Sequence, residues 1–205
     1  IKKIYGGVTV IPRRELIPFE ERNISNLEAK RKIAAAAAGL VAEGDIVFVD
    51  SGTTTLPIID FIKDKKNFTI LTNNVGIILR AMPYENINII SLSGMLTRKT
   101  LSFTGTTAAQ VLRNYNISKA FMATTGFSVA SGVTNSAPEE SDIKRTAVQR
   151  SQQVCLLADS SKCGEVSLIT YCGLDQIDTL VTETPPPSDI GDFMEQHGKQ
   201  ILIAK

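Results

Sequence analysis

Short apolar runs rich in β-branched residues recur along this chain, each followed by a polar loop and then by a segment with helical spacing. The runs fall at residues 45–50 (DIVFVD), 68–72 (FTILT), 87–92, 119–124, 154–158, 179–182 and 200–204. Unbroken apolarity of this kind belongs to strands buried on both faces. Helical spacing occupies residues 27–42, 58–63, 75–82, 106–115, 138–150 and 190–196. Strands alternating with helices need crossover connections, so the sequence predicts an α/β fold, a mostly parallel open sheet with helices on both faces.

Local signals refine this frame. Ser25 followed by Glu28 reads as a capping box opening the Ala-rich helix, and Gly44 as its end. The stretch from Gly94 to Gly105 shows no periodicity and reads as an irregular lid or binding loop. Residues 1–25 differ from the rest, with a strand-like piece around Gly6-Gly7 and a Pro12-Arg13-Arg14 linker. They are expected to be linker and the remnant of a preceding domain, with residues 26–205 forming the main domain. The opening residue is Ile1 rather than Met, which reads as entry partway along a longer protein.

Bulk properties remove several function classes. Over 205 residues the net charge is +1, so no global field draws the chain to DNA or an anionic membrane. No apolar run reaches the ~20 residues of a bilayer span, and no signal peptide opens the chain, as expected of a cytoplasmic protein. Cys155, Cys163 and Cys172 lack zinc or redox spacing and read as reduced, packed thiols, with His197 far from them. No metal site, cofactor signature or Ser/His/Asp triad is present.

In an open parallel sheet, ligands bind beyond the C-terminal ends of the strands. The polar loops of this chain fall there: Asp50-Ser-Gly-Thr-Thr-Thr55, Thr72-Asn-Asn74, Ser93-Gly94 onward, Thr124-Thr-Gly126 and Asp159-Ser-Ser-Lys162. Gly52 permits close backbone approach, and the amides of Thr53 to Thr55, set to start a helix, suit a phosphate or carboxylate. The same loop also reads as a plain helix cap, and lacks the Gly-Lys-Ser/Thr of a Walker A loop. Lys162 is placed to reach an anion, or to pair with Asp159 on a solvated turn. Glu140 and Lys144 are spaced i,i+4 on one helix, a spacing that usually makes a surface bridge. Arg98-Lys99 lies in the irregular stretch, and Thr104-Gly105-Thr-Thr107 offers a second, weaker amide site. Together these loops describe a pocket for a polar, anionic small molecule.

Taken in order, the loop motifs resemble the C-terminal effector domain of the DeoR family of bacterial transcription regulators. The resemblance rests on Asp50-Ser-Gly-Thr-Thr-Thr55, Thr72-Asn73, Gly94 with Arg98, Gly105, Gly126, Glu140 with Lys144, and Asp159-Ser-Ser-Lys-Cys-Gly164. The opening Ile1-Lys-Lys-Ile-Tyr-Gly-Gly7 looks like the last piece of the family's winged-helix DNA-binding domain. The resemblance implies a ribose-5-phosphate isomerase-like fold. It further implies a homo-oligomeric repressor whose DNA binding, made only through that preceding domain, answers to a phosphorylated sugar or related intermediate. Carried over by position, Asp50, Ser51, Gly52, Thr53, Thr54 and Thr55 would hold the phosphate. Thr72, Asn73, Gly94, Arg98, Glu140 and Lys162 would address phosphate or sugar hydroxyls, with Gly105, Gly126 and Lys144 completing the site. Family members often carry Gly-Ile/Val-Asp where this chain has Gly126-Phe127-Ser128, which removes a carboxylate suited to sugar hydroxyls. The rival reading is a sugar-phosphate isomerase or aminosugar-phosphate deaminase, with Glu139 or Glu140 as base beside Lys162. The absence of a carboxylate-rich loop argues against it, and the chain is expected not to be an enzyme.

Overall fold

The computed structural model describes residues 2–4, 7–9 and 18–205. The Pro12-Arg13-Arg14 linker, and Gly6 of the strand-like opening, lie outside them. Strands β1 (Lys2–Ile4) and β2 (Gly7–Thr9) pair antiparallel with each other.

Helices α1 (Phe19–Ile24) and α2 (Leu27–Ala38) lead into β3 (Ile46–Val49) and α3 (Ile58–Ile62). Then come β4 (Thr69–Thr72), α4 (Val75–Ala81), β5 (Asn88–Ser91), the hairpin β6 (Met95–Thr97) and β7 (Ser102–Thr104), and α5 (Thr106–Leu112). The second half runs β8 (Ile117–Ala123), β9 (Gly126–Ser128), β10 (Gly132–Asn135), α6 (Ser141–Arg150) and β11 (Ser151–Leu157). It closes with β12 (Ile169–Cys172), β13 (Thr179–Thr182), α7 (Ser188–Gln196) and β14 (Gln200–Ile203).

Seven strands form one parallel sheet in the order β14-β13-β11-β8-β3-β4-β5. Side chains alternate across a strand, and β3 shows the result. Val47 and Val49 join one apolar cluster with Phe19, Ile33, Ala37, Ile58 and Ile77, so α1 to α4 cover that face. Phe48 between them joins the opposite cluster with Ala109, Leu112, Ile143, Ala147 and Met194, supplied by α5 to α7. The expected open parallel sheet with helices on both faces is therefore present.

Several local expectations are corrected. The Ser25–Glu28 capping box does not form: Asn26 precedes α2 in the left-handed region at φ 51°, with no side-chain cap. Its amide is engaged elsewhere, donating to Asp159 Oδ1 at 3.0 Å. Helix α2 ends at Ala38, short of the expected Gly44, which instead occupies a turn at φ 83°. The threonines after β3 form turns and α3 begins only at Ile58. The stretch 94–105 is ordered as the β6–β7 hairpin, closed where Gly94 and Leu101 adopt positive φ. The polar loop expected after β8 leads into β9 and β10, which pair with β12 in a small antiparallel sheet of order β12-β10-β9. Helix α1 falls inside the stretch expected to be linker, with Phe19 buried and its N–H donating to Lys99 O at 2.9 Å.

Candidate functional site

A cavity of about 370 Å³ opens where the loops after β3, β8 and β11 meet the α1–α2 corner. Its floor comes from Gly52, Thr53 and Thr54 after β3, Ala123, Thr124 and Thr125 at and after the end of β8, and Asp159, Ser161 and Lys162 after β11. Glu21, Arg22, Ser25, Asn26 and Lys30 close it from above, and Ser136 flanks it.

Floor geometry follows from the Gly52 position. A Cβ there would lie 2.0 Å from Ala123 Cβ, so only glycine lets the loop after β3 press against β8. Thr55 Oγ1 then accepts from Gly52 N at 3.2 Å and donates towards Asp50 O at 2.7 Å, pinning the loop. Within this turn the N–H groups of Thr53 and Thr54 make no hydrogen bond to any described residue. Buried N–H groups are almost always paired, so two adjacent free donors on a cavity floor make a seat for an anion.

Positive charge converges on the same space. Arg22, Lys30 and Lys162 all line it. Lys30 is 4% exposed, and its ammonium donates to the Arg22 carbonyl. Burial lowers its pKa to about 8; Asp159 opposes the shift, whereas Lys162 and Arg22 reinforce it. Burial also lowers the Arg22 pKa, opposed by the charges of Glu140 and Asp50. A dianionic ligand would relieve the repulsion among these cations.

Beneath the floor lies a second, closed layer of charge. Asp50 and Lys144 form an ion pair whose side chains are 1% and 3% exposed. Asp50 Oδ2 also accepts from Ala123 N at 2.9 Å, and Lys144 Nζ donates to Ala123 O at 3.2 Å. The Tyr171 hydroxyl reaches the same carbonyl at 3.0 Å, and its ring lies 5.3 Å from the ammonium. Burial pushes the Tyr171 phenol well above its ordinary pKa. Glu140 accepts from Ser51 at 2.8 Å, Ser102 at 2.9 Å and Asn135 at 3.1 Å. The expected i,i+4 partners Glu140 and Lys144 thus turn to different elements and brace β3, β7, β8 and β10 from below.

Burial raises the thiols of Cys155 and Cys172 to about 12 and that of Cys163 to about 11. Among the described residues no group of His, Cys, Asp and Glu side chains is placed to hold a metal.

The model of the DeoR C-terminal sensor domain matches residues 25–184. The chain is a member of the DeoR C-terminal sensor domain family. The HTH-type transcriptional regulator IolR of Bacillus subtilis is 42% identical over 204 residues, covering 100% of this chain and 81% of the relative. The HTH-type transcriptional regulator YulB of the same organism is 33% identical, covering 90% and 71%. Among solved structures, the eIF2B-beta2-delta2 complex of C. thermophilum shares the fold at TM-score 0.58 and 14% identity, over 83% of this chain and 61% of that one. A ribose 5-phosphate isomerase A of Methanocaldococcus jannaschii superposes at TM-score 0.49 and 18% identity, over 68% and 55%.

Within this sensor domain the anticipated site residues are spread over several places. Gly52, Thr53, Thr54 and Lys162 line the cavity. Asp50, Ser51, Thr55, Glu140 and Lys144 form the layer beneath it, and buried Thr72 and Asn73 bond to Val49 O and Phe103 O. Gly94, Arg98 and Gly105 belong to the β6–β7 hairpin and its exit, outside the cavity lining, and Arg98 is exposed. Gly126 sits where a Cβ would meet Glu165 O at 2.4 Å, holding β9 against the loop after β11. Lys162 makes no ion pair with Asp159, whose Oδ1 is taken by Asn26 and Ser161.

Five cavity-lining residues from the α1–α2 corner went unrecognised as such: Glu21, Arg22, Ser25, Asn26 and Lys30. One of them carried a signal. Lys30 precedes Ile33, Ala34 and Ala37 by three, four and seven positions, which sets it on the apolar stripe of α2. A lysine on a buried stripe points to a site rather than to a solvated face.

Proposed function

We propose that this sensor domain binds a phosphorylated sugar or a related phosphate-bearing intermediate in the cavity at the α1–α2 corner. The phosphate sits on the free N–H groups of Thr53 and Thr54, within reach of Arg22, Lys30 and Lys162. That pairing of unpartnered amides with converging cations carries the reading. Asp50, Ser51, Thr55, Glu140 and Lys144 hold the floor in shape, and the ligand's remaining polar groups face Asn26, Thr124, Thr125, Ser136 and Asp159.

The consequence is regulation rather than turnover. Both Glu140 oxygens already accept hydrogen bonds and Lys144 is committed to Asp50, which leaves neither free to move a substrate proton. As in regulators of the kind its relatives' names describe, bound ligand shifts the DNA affinity of a helix-turn-helix partner domain by its differential affinity for two arrangements, typically ~1–3 kcal/mol. Repression of sugar-use genes from the cytoplasm, by a homo-oligomer, is the setting that fits.

Thermal unfolding across a panel of sugar phosphates, matching free sugars and inorganic phosphate tests this. At about 100 times Kd a ligand adds roughly 2.7 kcal/mol, or about 5–10 °C in Tm for a domain of this size. One or a few phosphorylated sugars should stand out from their free counterparts. A flat response to every phosphorylated compound would overturn the proposal.

A further inference from the structure

The cavity's cations and amides account for a phosphate, and one polar group in it remains unexplained. Asp159 is 1% exposed and lines the cavity floor. Its Oδ1 is saturated, accepting from Asn26 Nδ2 at 3.0 Å, from Ser161 N at 3.2 Å and from the Ser161 hydroxyl. Its Oδ2 is buried and has no hydrogen-bond partner. A carboxylate oxygen left bare in this way costs stability, and the contacts on Oδ1 hold it in position.

We infer that Asp159 Oδ2 is the specificity-determining acceptor for a hydroxyl group of the ligand, separate from the phosphate. The inference rests on the phosphosugar reading and adds the chemistry of the ligand's other end. A carboxylate repels the phosphate and selects a donor. An ammonium donor on the ligand is disfavoured by Lys30, Lys162 and Arg22 around the same space. A neutral hydroxyl meets no such penalty. The sheet also sets the spacing. Asp159 follows β11 and Thr53 follows β3, with β8 between them, so their strand ends stand two strand spacings, about 10 Å, apart. The ligand is therefore an elongated polyhydroxylated phosphate of pentose or hexose length, not a bare phosphate and not an aminosugar with its ammonium at this end.

The decisive experiment compares matched pairs by calorimetry: ribitol 5-phosphate against pentyl phosphate, and glucitol 6-phosphate against hexyl phosphate, with inorganic phosphate as reference. The wild-type domain should prefer the polyol of at least one pair by tenfold or more, the lower end for a hydrogen bond to a charged group. Asp159→Asn puts a donor where the bare acceptor was. It should bring that ratio close to one without weakening inorganic phosphate, which the carboxylate repels. Equal affinity of the wild type for polyol and alkyl phosphates overturns the inference without any variant. An unchanged ratio in D159N, or an equal loss for polyol, alkyl and inorganic phosphate, overturns it also. A wild-type domain that binds none of the panel, inorganic phosphate included, overturns the anion seat itself, a result distinct from loss of polyol preference alone.

Discussion

Replacing Lys144 by Met probes the layer on which the cavity rests. The ammonium and the Asp50 carboxylate are 3% and 1% exposed, so neither is screened by water. Without Lys144, Asp50 would keep one hydrogen bond, from Ala123 N at 2.9 Å, while its Oδ1 already has none. Breaking a buried pair by removing one partner typically costs about 3–5 kcal/mol, because the remaining charge stays buried and uncompensated. The lost contact with the Tyr171 ring lies on the same side of the balance, whereas the Ala123 carbonyl keeps the Tyr171 hydroxyl. Lys144→Met should therefore lower stability by about 3–5 kcal/mol. At roughly 2–4 °C per kcal/mol for a domain of this size, Tm falls by about 6–20 °C. Urea unfolding followed by circular dichroism gives the free energy, and calorimetry the Tm. The double variant D50N/K144M removes the stranded charge and should lose less than the sum of its two single variants. A loss below about 1 kcal/mol for K144M, or strict additivity in the double variant, would refute a buried pair whose members depend on each other.

Other outcomes follow from the cavity itself. Lys162→Ala should weaken a phosphorylated ligand by about 1.5–3 kcal/mol in a calorimetric titration, and unchanged affinity would remove Lys162 from the site. Gly52→Ala drives a methyl group to 2.0 Å from Ala123 Cβ; it should destabilise the domain by at least ~1–3 kcal/mol, and an unaltered unfolding midpoint would contradict the packing. The Lys30 pKa of about 8 gives affinity a pH dependence. The ammonium is charged below that value and neutral above it, so affinity for a phosphorylated ligand should fall between pH 7 and 9, and the fall should shrink in K30M. The same depressed pKa acts on the unliganded fold in the opposite sense. The unfolded chain binds the extra proton between about 8 and the ordinary 10.5, so this lysine's contribution to stability rises with pH across that window.

The sheet was legible because its strands are buried on both faces. Residues 46–49 and 179–182 have nothing but apolar side chains and threonine, and such runs admit few other structures. The small antiparallel sheet was not legible. Its strands are short, and β12 contributes only Ile169–Cys172, half of it facing solvent. Their pairing depends on partners from the far side of α6. The cavity's floor could be read from the loops after β3 and β11, since strand ends and ligands go together in this architecture. Its roof could not. Asn26 reaches across 133 residues to Asp159, and Ser25 with Glu28 advertised a local cap that does not form. Glu140 and Lys144 stood out by their four-residue spacing, but that spacing gives proximity on a helix without saying which neighbour each side chain will choose.

The bracing under the cavity also has a kinetic meaning. Asp50 and Lys144 are 94 residues apart, Ser51 and Glu140 are 89 apart, and Asn26 and Asp159 are 133 apart. Contacts at such separations form late, after most of the loop-closure entropy has been spent. No fragment of the chain therefore holds a partial seat for the ligand, because β3, β8 and β11 must already stand in register before the donors and cations face one another. Native-like binding becomes a readout of completed folding. A ligand captured by this cavity should slow global unfolding while leaving the early steps of refolding untouched.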